Sequence, residues 1–423
     1  MTSYDIVGKS VNRKDALEKV MGTAIYACDL DYPDQLYAAT VRSTKPFAKV
    51  LRVDATEALK IPGVNCVLTY KDIPGSNSLG IILKDEFVLA EDVVRRVGDA
   101  IALVAASSQE IAEEAAKKVK VEYKELKPIF SIEEALSPVA AKIHPNGNIL
   151  LEKNFETGNI DEAFKNCDVI VEGTYETPML SHMFLETEAG IARMEKGIMT
   201  VYCCCQNPHF VRSEVARVLG FPLNKVRCVQ TTTGGGFGGK LDVGFQCHLA
   251  LLSFYTGKAV KLVRSRKESS VVSAKRHPFI MKAKTGATKE GKVLACDVDM
   301  ISDGGAYASY APAVASRAIM HFMGPYEIPN IRGKLRIIYT NNPVAGAFRG
   351  FGMPQVALCH EGQMNALARK LNMDPIELRI KNAHHIGTIT SSGQLLKENV
   401  AFIETLESAR EKAKKVLDGG WNR

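Results

Sequence analysis

The chain has 423 residues, 46% of them hydrophobic and 24% charged, so it is long enough for two or three domains and can bury a large core. Its net charge of +7 is spread along the sequence, and the most basic stretch, residues 261–276, alternates with apolar residues, which disfavours a nucleic-acid-binding protein. No apolar run reaches the ~18 residues that a membrane span needs, and the N-terminus does not have the pattern of a signal peptide, so we expect a cytoplasmic protein without membrane contact.

The first 127 residues predict an α/β domain. Strands are expected at residues 35–41 and 64–70, with turns at Pro62-Gly63 and Pro74-Gly75. Residues 128–145 contain three prolines and show little periodicity, which is typical of a connector between domains.

Residues 98–124 predict a β-α-β unit within this first domain. A short apolar strand at residues 100–105 is followed by a helix that Ser107 is expected to cap, with Glu110 as the capping-box partner. Residues 119–123 then alternate between apolar and polar, which is typical of a half-buried strand.

A second, larger domain is predicted for residues 146–423. Its expected strands are 169–175, 200–205, 226–231, 259–263 and 295–301, and its expected helices are 208–219, 244–256, 355–371 and 403–418. A further helix should begin at Asp374, because Pro375 and Glu377 complete a cap, a first-turn proline and a capping-box partner.

The strongest local signal is the glycine-rich segment 231–240, in which residues 234–239 include five glycines. Such a segment is expected to be a loop that approaches a ligand closely and points backbone N–H groups at its oxygen atoms. It also fits Gly-x4-Gly-Lys, the pattern of a nucleotide triphosphatase, but Leu241 has no oxygen for Mg²⁺ and disfavours that interpretation. A purely structural glycine turn is the other alternative.

Two further elements follow strands or loops in the second domain. In the glycine-rich segment 346–352, Arg349 lies between glycines and can face an anion or form a surface ion pair. Gln206 lies where the strand 200–205 ends, a position that favours ligand contacts but also caps and turns.

In this order, the three elements resemble the molybdopterin subunit of xanthine dehydrogenases and aldehyde oxidoreductases. Four other motifs fit the same family pattern: Arg276-His277-Pro278, Arg317-Ala318, Tyr326-x-Ile328-Pro329-Asn330 and Arg379-x-Lys381-Asn382. The resemblance covers nearly the whole chain. It implies an α/β hammerhead-type domain followed by the first molybdopterin-binding domain of the molybdenum hydroxylase fold.

The resemblance also implies roles for individual residues. Gln206 would hydrogen-bond an oxo ligand of molybdenum, and Gly236, Phe237 and Gly238 would approach the metal and the pterin through backbone N–H groups. Arg349 would help to hold the cofactor. The substrate would meet the stacking ring of Phe351 and the charge of Arg317, while the protein itself would supply no metal ligand, since the pterin holds molybdenum.

Two features depart from the family pattern. Leu241 stands where purine-oxidising members have a pocket glutamate, which counts against xanthine as the substrate. The chain also ends about halfway through the family's usual length, so it is expected to be a truncated chain or one half of a naturally split subunit. Several stretches resemble the nicotinate dehydrogenase branch of the family, including residues 17–24, 304–310 and 360–368.

The implied reaction is hydroxylation of a carbon beside a ring nitrogen, with water as the oxygen source. The implied cofactor is molybdopterin, as the cytosine dinucleotide, with molybdenum and a terminal sulfido or selenido ligand. The expected partners are a second, medium molybdopterin subunit that supplies a glutamate general base, an iron–sulfur subunit with [2Fe–2S] clusters and an FAD subunit. The expected substrate is a small N-heteroaromatic compound.

Two alternatives stay open at this point. One is a related hydroxylase for a purine, an aldehyde or another N-heterocycle, and the other is a non-catalytic scaffold half-subunit. The ten cysteines are scattered singly except for residues 203–205, and no pair has Cys-x-x-Cys spacing, which disfavours a zinc site or an iron–sulfur cluster in this chain. We interpret them as small buried residues.

Overall fold

The computed structural model describes residues 4–414 as a mixed α/β protein. The α-helices of these residues are α1 (Ala16–Val20), α2 (Thr56–Leu59), α3 (Gln109–Lys118), α4 (Ile132–Ala135), α5 (Ile160–Lys165), α6 (Pro208–Leu219), α7 (Phe245–Thr256), α8 (Arg266–Val272), α9 (Ala311–His321), α10 (Met353–Leu371), α11 (Pro375–Asn382) and α12 (Phe402–Lys414). Within residues 4–414, none of these helices combines the length and the apolar character that crossing a membrane requires.

The strands of the same residues are β1 (Leu36–Arg42), β2 (Ala48–Asp54), β3 (Val64–Leu68), β4 (Ser78–Leu79), β5 (Glu86–Phe87), β6 (Val93–Val94), β7 (Ala100–Ala106), β8 (Lys120–Glu125), β9 (Ile149–Thr157), β10 (Val169–Thr177), β11 (Leu180–Ser181), β12 (Ala189–Glu195), β13 (Ile198–Cys203), β14 (Val226–Gln230), β15 (Val260–Val263), β16 (Lys275–Arg276), β17 (Phe279–Ala287), β18 (Val293–Gly305), β19 (Asn330–Tyr339) and β20 (Ala345–Gly346).

The largest sheet has seven strands in the order β14-β13-β12-β15-β1-β7-β3. It joins strands from the first 127 residues to strands from the later part of the chain, because β1 runs parallel to β15 with Leu36 opposite Val260. Helices α6 and α7 cover one face of this sheet and bury its apolar side chains in one core. The predicted domain boundary at residue 127 therefore separates two segments whose strands belong to one sheet. The boundary itself stays a prediction.

A second sheet of five strands has the order β10-β17-β18-β19-β9 and packs against α9 and α10. Strand β10 and the centre of β18 were predicted from the sequence, whereas β9, β17, β19 and α9 were not. Strand β9 is at the sheet edge and has no fully buried residue, so its hydrophobic alternation is weak. Between the two sheets, residues 128–145 contain α4 and bury Ile129 and Ile143 in a small core.

Several predicted elements are found where the sequence placed them. Helix α6 has the predicted bounds, α10 ends at Asn372 in a left-handed conformation, and Asp374 caps α11 by accepting the Ile376 and Glu377 N–H groups. The last helix is described as far as Lys414, and the predicted residues 415–418 lie outside the described part of the chain.

The predicted cap of α3 was wrong by one residue. Ser108 caps this helix, with its side-chain oxygen accepting the Ile111 N–H, so Glu110 is not at the capping-box position. Ser107 instead donates its backbone N–H to the carbonyl oxygen of Gly63 at 2.9 Å. This tertiary contact holds Ser107 outside the helix, which is why a serine pair alone did not reveal the cap.

Candidate functional site

Gln206 and the glycine-rich loop lie at the same edge of the seven-stranded sheet. Strands β13 and β14 are parallel neighbours connected through α6, so the segments that follow their carboxyl ends meet. Gln206 follows β13, and the loop 231–240 follows β14. This edge is the place where ligands bind in many α/β proteins.

Gln206 is bonded to the loop through its backbone and through one side-chain atom. Its Oε1 accepts the N–H groups of Gly238 and Lys240 at 3.0 and 3.2 Å, and its own backbone N–H donates to the Lys240 carbonyl oxygen. The neighbouring residue Asn207, and not Gln206, caps α6. The Gln206 side chain is exposed, and its Nε2 has no acceptor among residues 4–414, so one amide group is free to donate to a ligand.

Three consecutive N–H groups of the loop also lack an acceptor within the described residues, those of Gly235, Gly236 and Phe237. Phe237 has a φ of 53° and an exposed ring, and Gly238 has a φ of 103°. Positive φ values of this kind turn successive N–H groups towards one side and form a concave anion-binding surface. The loop therefore presents donors to a ligand at the same edge as the Gln206 amide.

Lys240 faces the interior and not this edge. Its ammonium is buried 2.7 Å from Glu186 Oε2, and the same carboxylate oxygen accepts the Gly234 N–H at 2.7 Å. Glu186 thus ties together both ends of the glycine-rich segment. A phosphate-binding role for Lys240, as in nucleotide triphosphatases, does not fit a buried and paired ammonium.

The second glycine-rich segment is in direct contact with the first. The Arg349 N–H donates to the Phe237 carbonyl oxygen at 2.8 Å, and Gly238 lies so close to Ala347 that a Cβ atom at position 238 would be 2.6 Å from the Ala347 carbonyl oxygen. The Arg349 side chain is exposed and has no ion pair among residues 4–414. Its charge is therefore available to an anionic group at this edge.

The loop around Ala347 is supported from below by aromatic and cationic side chains. His182 bonds the Ala347 carbonyl oxygen through Nε2 at 2.8 Å, and its ring stacks on Phe348 with a centroid distance of 4.1 Å. Burial lowers the pKa of His182, which keeps the ring neutral. The Arg276 guanidinium lies over the Phe348 ring, at 3.9 Å from its centroid, and donates to the Arg349 carbonyl oxygen.

Phe351 packs beside the start of helix α9, the helix that carries Arg317. The Phe351 ring meets the Tyr310 ring edge-on at 5.9 Å, and Gly352 packs against the Val314 carbonyl oxygen of the helix. Tyr310, Val314 and Arg317 are spaced i, i+4, i+7 and so lie on one face of α9. Arg317 is exposed and has no ion pair in the described residues. Arg317 and Phe351 share no contact among the described residues, although both lie beside the same face of α9.

Tyr310 was not predicted as a site residue. Burial raises the pKa of Tyr310 to about 12, so its hydroxyl stays protonated at neutral pH. The segment Tyr310-Ala311-Pro312 resembles a helix start, with a proline in the first turn, and this local signal was present in the sequence. The contact with Phe351, 41 positions later, was not visible there.

A layer of buried charges lies behind the glycine-rich loop; we call Arg42, Arg96, Glu188, Lys240, His248 and Arg264 the buried polar layer. Each of its arginines is ion-paired: Arg264 with Glu188 at 3.2 Å, Arg96 with both Glu86 and Asp99 at 3.2 Å, and Arg42 with Glu268 at 2.7 Å. The residues of the buried polar layer, together with Gly239 and Asp242, line a cavity of about 80 Å³. Leu241 is half-buried at the rim of the loop and does not line this cavity.

The family motifs farther along the chain have structural contacts in the second sheet region. Arg379 and Tyr326 both bond Glu361, at 2.6 and 2.7 Å, and Asn382 accepts the Val293 N–H. These residues stabilise the packing of α10 and α11 on the five-stranded sheet. They are not among the residues that the structure brings to the edge with Gln206.

The structure also brings Cys228, which is isolated in the sequence, to two cysteines of the segment 203–205. Cys203, Cys205 and Cys228 place their sulfur atoms within 4.8 Å of one another, and they are the one cluster of potential metal ligands found in residues 4–414. The sequence did contain signals for this cluster. Cys203 and Cys205 alternate at the end of β13, and Cys228 lies in the next strand of the β-α-β unit.

Comparison with known proteins identifies two family modules. Residues 143–383 match the molybdopterin cofactor-binding domain, and residues 21–127 match the a/b hammerhead domain of aldehyde oxidase and xanthine dehydrogenase. The nicotinate dehydrogenase large molybdopterin subunit of Eubacterium barkeri is 54% identical over 98% of this chain and 98% of its own length. A probable xanthine dehydrogenase subunit of Bacillus subtilis is 44% identical over 89% of this chain and 51% of its own length.

Solved structures agree with these matches. The aldehyde oxidoreductase of Desulfovibrio desulfuricans superimposes with a TM-score of 0.92 at 32% identity, over 97% of this chain and 48% of that chain. The chain thus spans nearly all of one relative and about half the length of the other two. The fold is the hammerhead domain followed by the molybdopterin-binding domain, as the sequence predicted.

Proposed function

Because the chain belongs to the xanthine dehydrogenase and aldehyde oxidase family of molybdopterin-binding oxidoreductases, we propose that it is the large molybdopterin subunit of a hydroxylase for a nicotinate-like N-heteroaromatic substrate. The observation that carries the proposal is the row of unpaired donors at one sheet edge. The N–H groups of residues 235–237, the Gln206 amide and the Arg349 guanidinium all point to a ligand rich in oxygen acceptors.

The donor set fits molybdopterin, which carries oxo and phosphate oxygen atoms. The proposed cofactor is the cytosine dinucleotide form with a terminal sulfido or selenido ligand. When bound, it supplies the oxygen-transfer and electron-accepting chemistry that no side chain can provide. No protein atom needs to be a metal ligand, since the pterin itself holds molybdenum.

Each residue at the edge has a distinct proposed role. Gln206 donates its Nε2–H to an oxo oxygen, while its Oε1 stays bonded to the Gly238 and Lys240 N–H groups, so the donor is held in one orientation. The N–H groups of Gly236, Phe237 and Gly238 border the cofactor, with that of Gly238 already occupied by Gln206. Arg349 balances the negative charge of the cofactor.

The substrate is proposed to lie against Phe351, with its flat ring stacked on the phenyl face. The edge-on contact with Tyr310 holds the Phe351 ring and makes Tyr310 a positioning residue. Arg317 is free to meet a substrate carboxylate or the negative charge that develops on the ring. The half-buried Leu241 adds an apolar wall, which suits a pyridine carboxylate better than a purine with several polar groups.

The proposal includes partner subunits and the division of the chain. A second, medium molybdopterin subunit would supply a glutamate general base, and iron–sulfur and FAD subunits would carry electrons away in the cytoplasm. The similarity to a protein named as a large molybdopterin subunit supports this arrangement. Residues 1–127, the connector 128–145 and residues 146–423 are proposed as the hammerhead domain, the linker and the molybdopterin domain.

The proposal is tested on the complex obtained by co-expressing this chain with the proposed partner subunits. We expect about one molybdenum per chain by elemental mass spectrometry, and a kcat/KM for nicotinate at least about tenfold above that for xanthine, which corresponds to roughly 1.4 kcal/mol. A higher kcat/KM for xanthine would support the purine alternative. An assembled complex without molybdenum would support the scaffold alternative.

A matched pair of arginine variants sharpens the substrate assignment. Arg317→Met should lower kcat/KM for nicotinate by about tenfold or more, because a charged partner of the substrate is lost. Arg227→Met is the control, since Arg227 is also exposed but lies at the opposite end of β14. Equal effects of the two variants would contradict the role of Arg317.

A further inference from the structure

Three thiols are clustered near the end of β13, the strand that precedes Gln206 in the chain. The sulfur atoms of Cys203, Cys205 and Cys228 lie within 4.8 Å of one another, and those of Cys203 and Cys228 are 3.9 Å apart. Cys203 and Cys205 are fully buried, and Cys228 is half-buried. All ten cysteines of the chain are free thiols, so none of the three is committed to a disulfide.

Strand geometry explains why these three residues meet. Side chains alternate along a strand, so Cys203 and Cys205 point to one face of the sheet and Cys204 points to the other, where the Ala189 N–H donates to its sulfur. On the neighbouring parallel strand, Cys228 is opposite Val201 and therefore faces the same side as Cys203. The β13-α6-β14 connection brings two segments 25 residues apart into one cluster.

The cluster has the spacing of a thiolate metal site. A cation held by three sulfurs at about 2.3 Å in one plane places those sulfurs about 4.0 Å apart, close to the 3.9 Å separation of Cys203 and Cys228. No histidine or carboxylate of the described residues joins the group. Sulfur-only ligand sets select soft cations such as Cu⁺ and Zn²⁺ over the hard cations Mg²⁺ and Ca²⁺.

The surroundings favour a thiolate at the centre of the cluster. The S–H groups of Cys203 and Cys228 lower the pKa of Cys205 by hydrogen bonding, and the backbone N–H of Asn207 at the start of α6 acts in the same direction. The N-terminus of a helix stabilises negative charge. The three sulfurs, within 4.8 Å of one another beside the start of α6, therefore suit a cation by their geometry.

We propose that Cys203, Cys205 and Cys228 form a binding site for a soft d¹⁰ cation, Zn²⁺ or Cu⁺, between β13 and β14. Binding forms three metal–sulfur bonds and releases the protons still held by the sulfurs, and no electron is transferred. The site does not depend on the proposed hydroxylase function. It crosslinks the two strands from whose ends Gln206 and the glycine-rich loop arise, so it should also stabilise that edge.

The test uses the assembled complex, because its other subunits keep the chain in its native surroundings. The complex is incubated with Zn²⁺ or Cu⁺ in separate arms, and the bound metal is counted by elemental mass spectrometry after gel filtration against a weak thiol competitor. We expect one Zn²⁺ or Cu⁺ per chain in the wild type. Cys205→Ser and Cys228→Ser should each reduce this amount at least tenfold, because two sulfurs hold the cation far less tightly.

Cys66→Ser is the matched control, because Cys66 is also half-buried in the seven-stranded sheet but lies outside the cluster. Its metal content should equal that of the wild type. Cadmium-113 NMR of the Cd²⁺-loaded complex should give one resonance in the range of three-thiolate coordination, and this resonance should disappear in Cys228→Ser. The melting temperature of each variant without metal shows that the fold is kept.

Three results would overturn the proposal. The first is a wild-type complex that retains no Zn²⁺ or Cu⁺, and the second is a metal content unchanged by both Cys205→Ser and Cys228→Ser. The third is a disulfide between any two of the three cysteines in a peptide map of the freshly purified, alkylated complex. That disulfide would show that the cluster is an oxidisable thiol pair and not a metal site.

Discussion

The two sides of the glycine-rich loop differ in how their polar groups are satisfied. On the outer side, the N–H groups of residues 235–237 and the amide of Gln206 and guanidinium of Arg349 have no partner in the described chain. On the inner side, Lys240 and the Gly234 N–H are both bonded to Glu186, next to the buried polar layer. The inner contacts hold the backbone, and the outer donors are left oriented for a ligand.

This difference explains how a segment with little intrinsic order can bind a cofactor. Glycine residues lose more conformational freedom on ordering than other residues, so residues 234–239 need external support. Glu186 and the Oε1 atom of Gln206 provide it through hydrogen bonds to N–H groups at both ends of the loop. Donors that are ordered in advance bind a ligand with a smaller entropic cost than flexible donors. Variants that remove either the inner contacts or the outer donors should separate support of the loop from binding of the cofactor.

The largest effect is expected where the two glycine-rich segments touch. Gly238→Val should abolish molybdopterin binding, because the left-handed φ of 103° is strained for valine and the new Cβ would be 2.6 Å from the Ala347 carbonyl oxygen. Pterin and molybdenum content of the purified complex measure this loss. Gly147→Val is the control, since Gly147 has a φ of 105° and open space around it. Equal cofactor loss in both variants would attribute the effect to backbone strain alone.

Breaking the inner side should destabilise the chain strongly. Lys240→Met leaves the Glu186 carboxylate buried without its cation, and loss of one member of a buried pair costs about 3–5 kcal/mol in the free energy of unfolding. Urea unfolding of the complex, followed by circular dichroism, measures the change. Lys165→Met removes an exposed pair with Glu162 and should cost about 0–1 kcal/mol. Similar midpoints for the two variants would show that the inner contact does not support the fold.

Breaking the outer side should slow turnover and leave the fold intact. Gln206→Ala removes the free Nε2 donor, and the loss of a hydrogen bond to a charged group is about 1.5–3 kcal/mol, which corresponds to a decrease in kcat of roughly 10–150-fold. The variant also loses the Oε1 bonds to the Gly238 and Lys240 N–H groups, but Glu186 still holds Gly234 and Lys240, so molybdenum content should be mostly kept. Gln109→Ala on α3 is the control. Full molybdenum occupancy with unchanged kcat would refute the role of Gln206.

The buried polar layer should also make stability depend on pH. Burial lowers the pKa of His248 to about 3, below the value of about 6.5 in the unfolded chain, and Arg42 and Arg264 add to this shift. The unfolded state therefore binds the His248 proton more tightly than the folded state. The contribution of neutral His248 to the free energy of unfolding is complete above pH 6.5 and is lost as the pH falls towards 3.

Between pH 7 and pH 5, His248 should lower the free energy of unfolding by about 2 kcal/mol. His248→Gln keeps a donor for the Val88 carbonyl oxygen but cannot be protonated, so its unfolding free energy should decrease less over this range. Denaturant unfolding at the two pH values measures the difference between variant and wild type. An equal decrease in both proteins would show that other groups account for the acid sensitivity.

The smallest effect concerns specificity at the rim of the loop. Leu241→Glu adds a hydrogen-bonding group to an apolar wall, so the ratio of kcat/KM for nicotinate to that for xanthine should fall by about tenfold. Steady-state kinetics with both substrates measures the ratio, and Leu241→Met should leave it unchanged. A ratio that does not move in Leu241→Glu would place the specificity determinant on another residue or on a partner subunit.

Local patterns in the sequence were sufficient for a large part of the fold. The bounds of α6, the end of α10 at Asn372 and the cap of α11 at Asp374 follow from prolines, caps and helical periodicity, which act within a few residues. The family modules were also recognised from the order of short motifs. Strands such as β9 were missed because edge strands bury little and leave a weak pattern.

The sequence by itself determined which segments are loops, which helices they precede and which residues are suited to meet a cofactor. Only the tertiary structure decided what these residues touch: Lys240 is paired with Glu186, 54 positions earlier, and Tyr310 is packed on Phe351. It also decided that Cys228 joins Cys203 and Cys205, because two parallel strands bring them to one face. The physical reason is that propensity and periodicity act over neighbouring residues, whereas sheet order and register select partners that are distant in the chain.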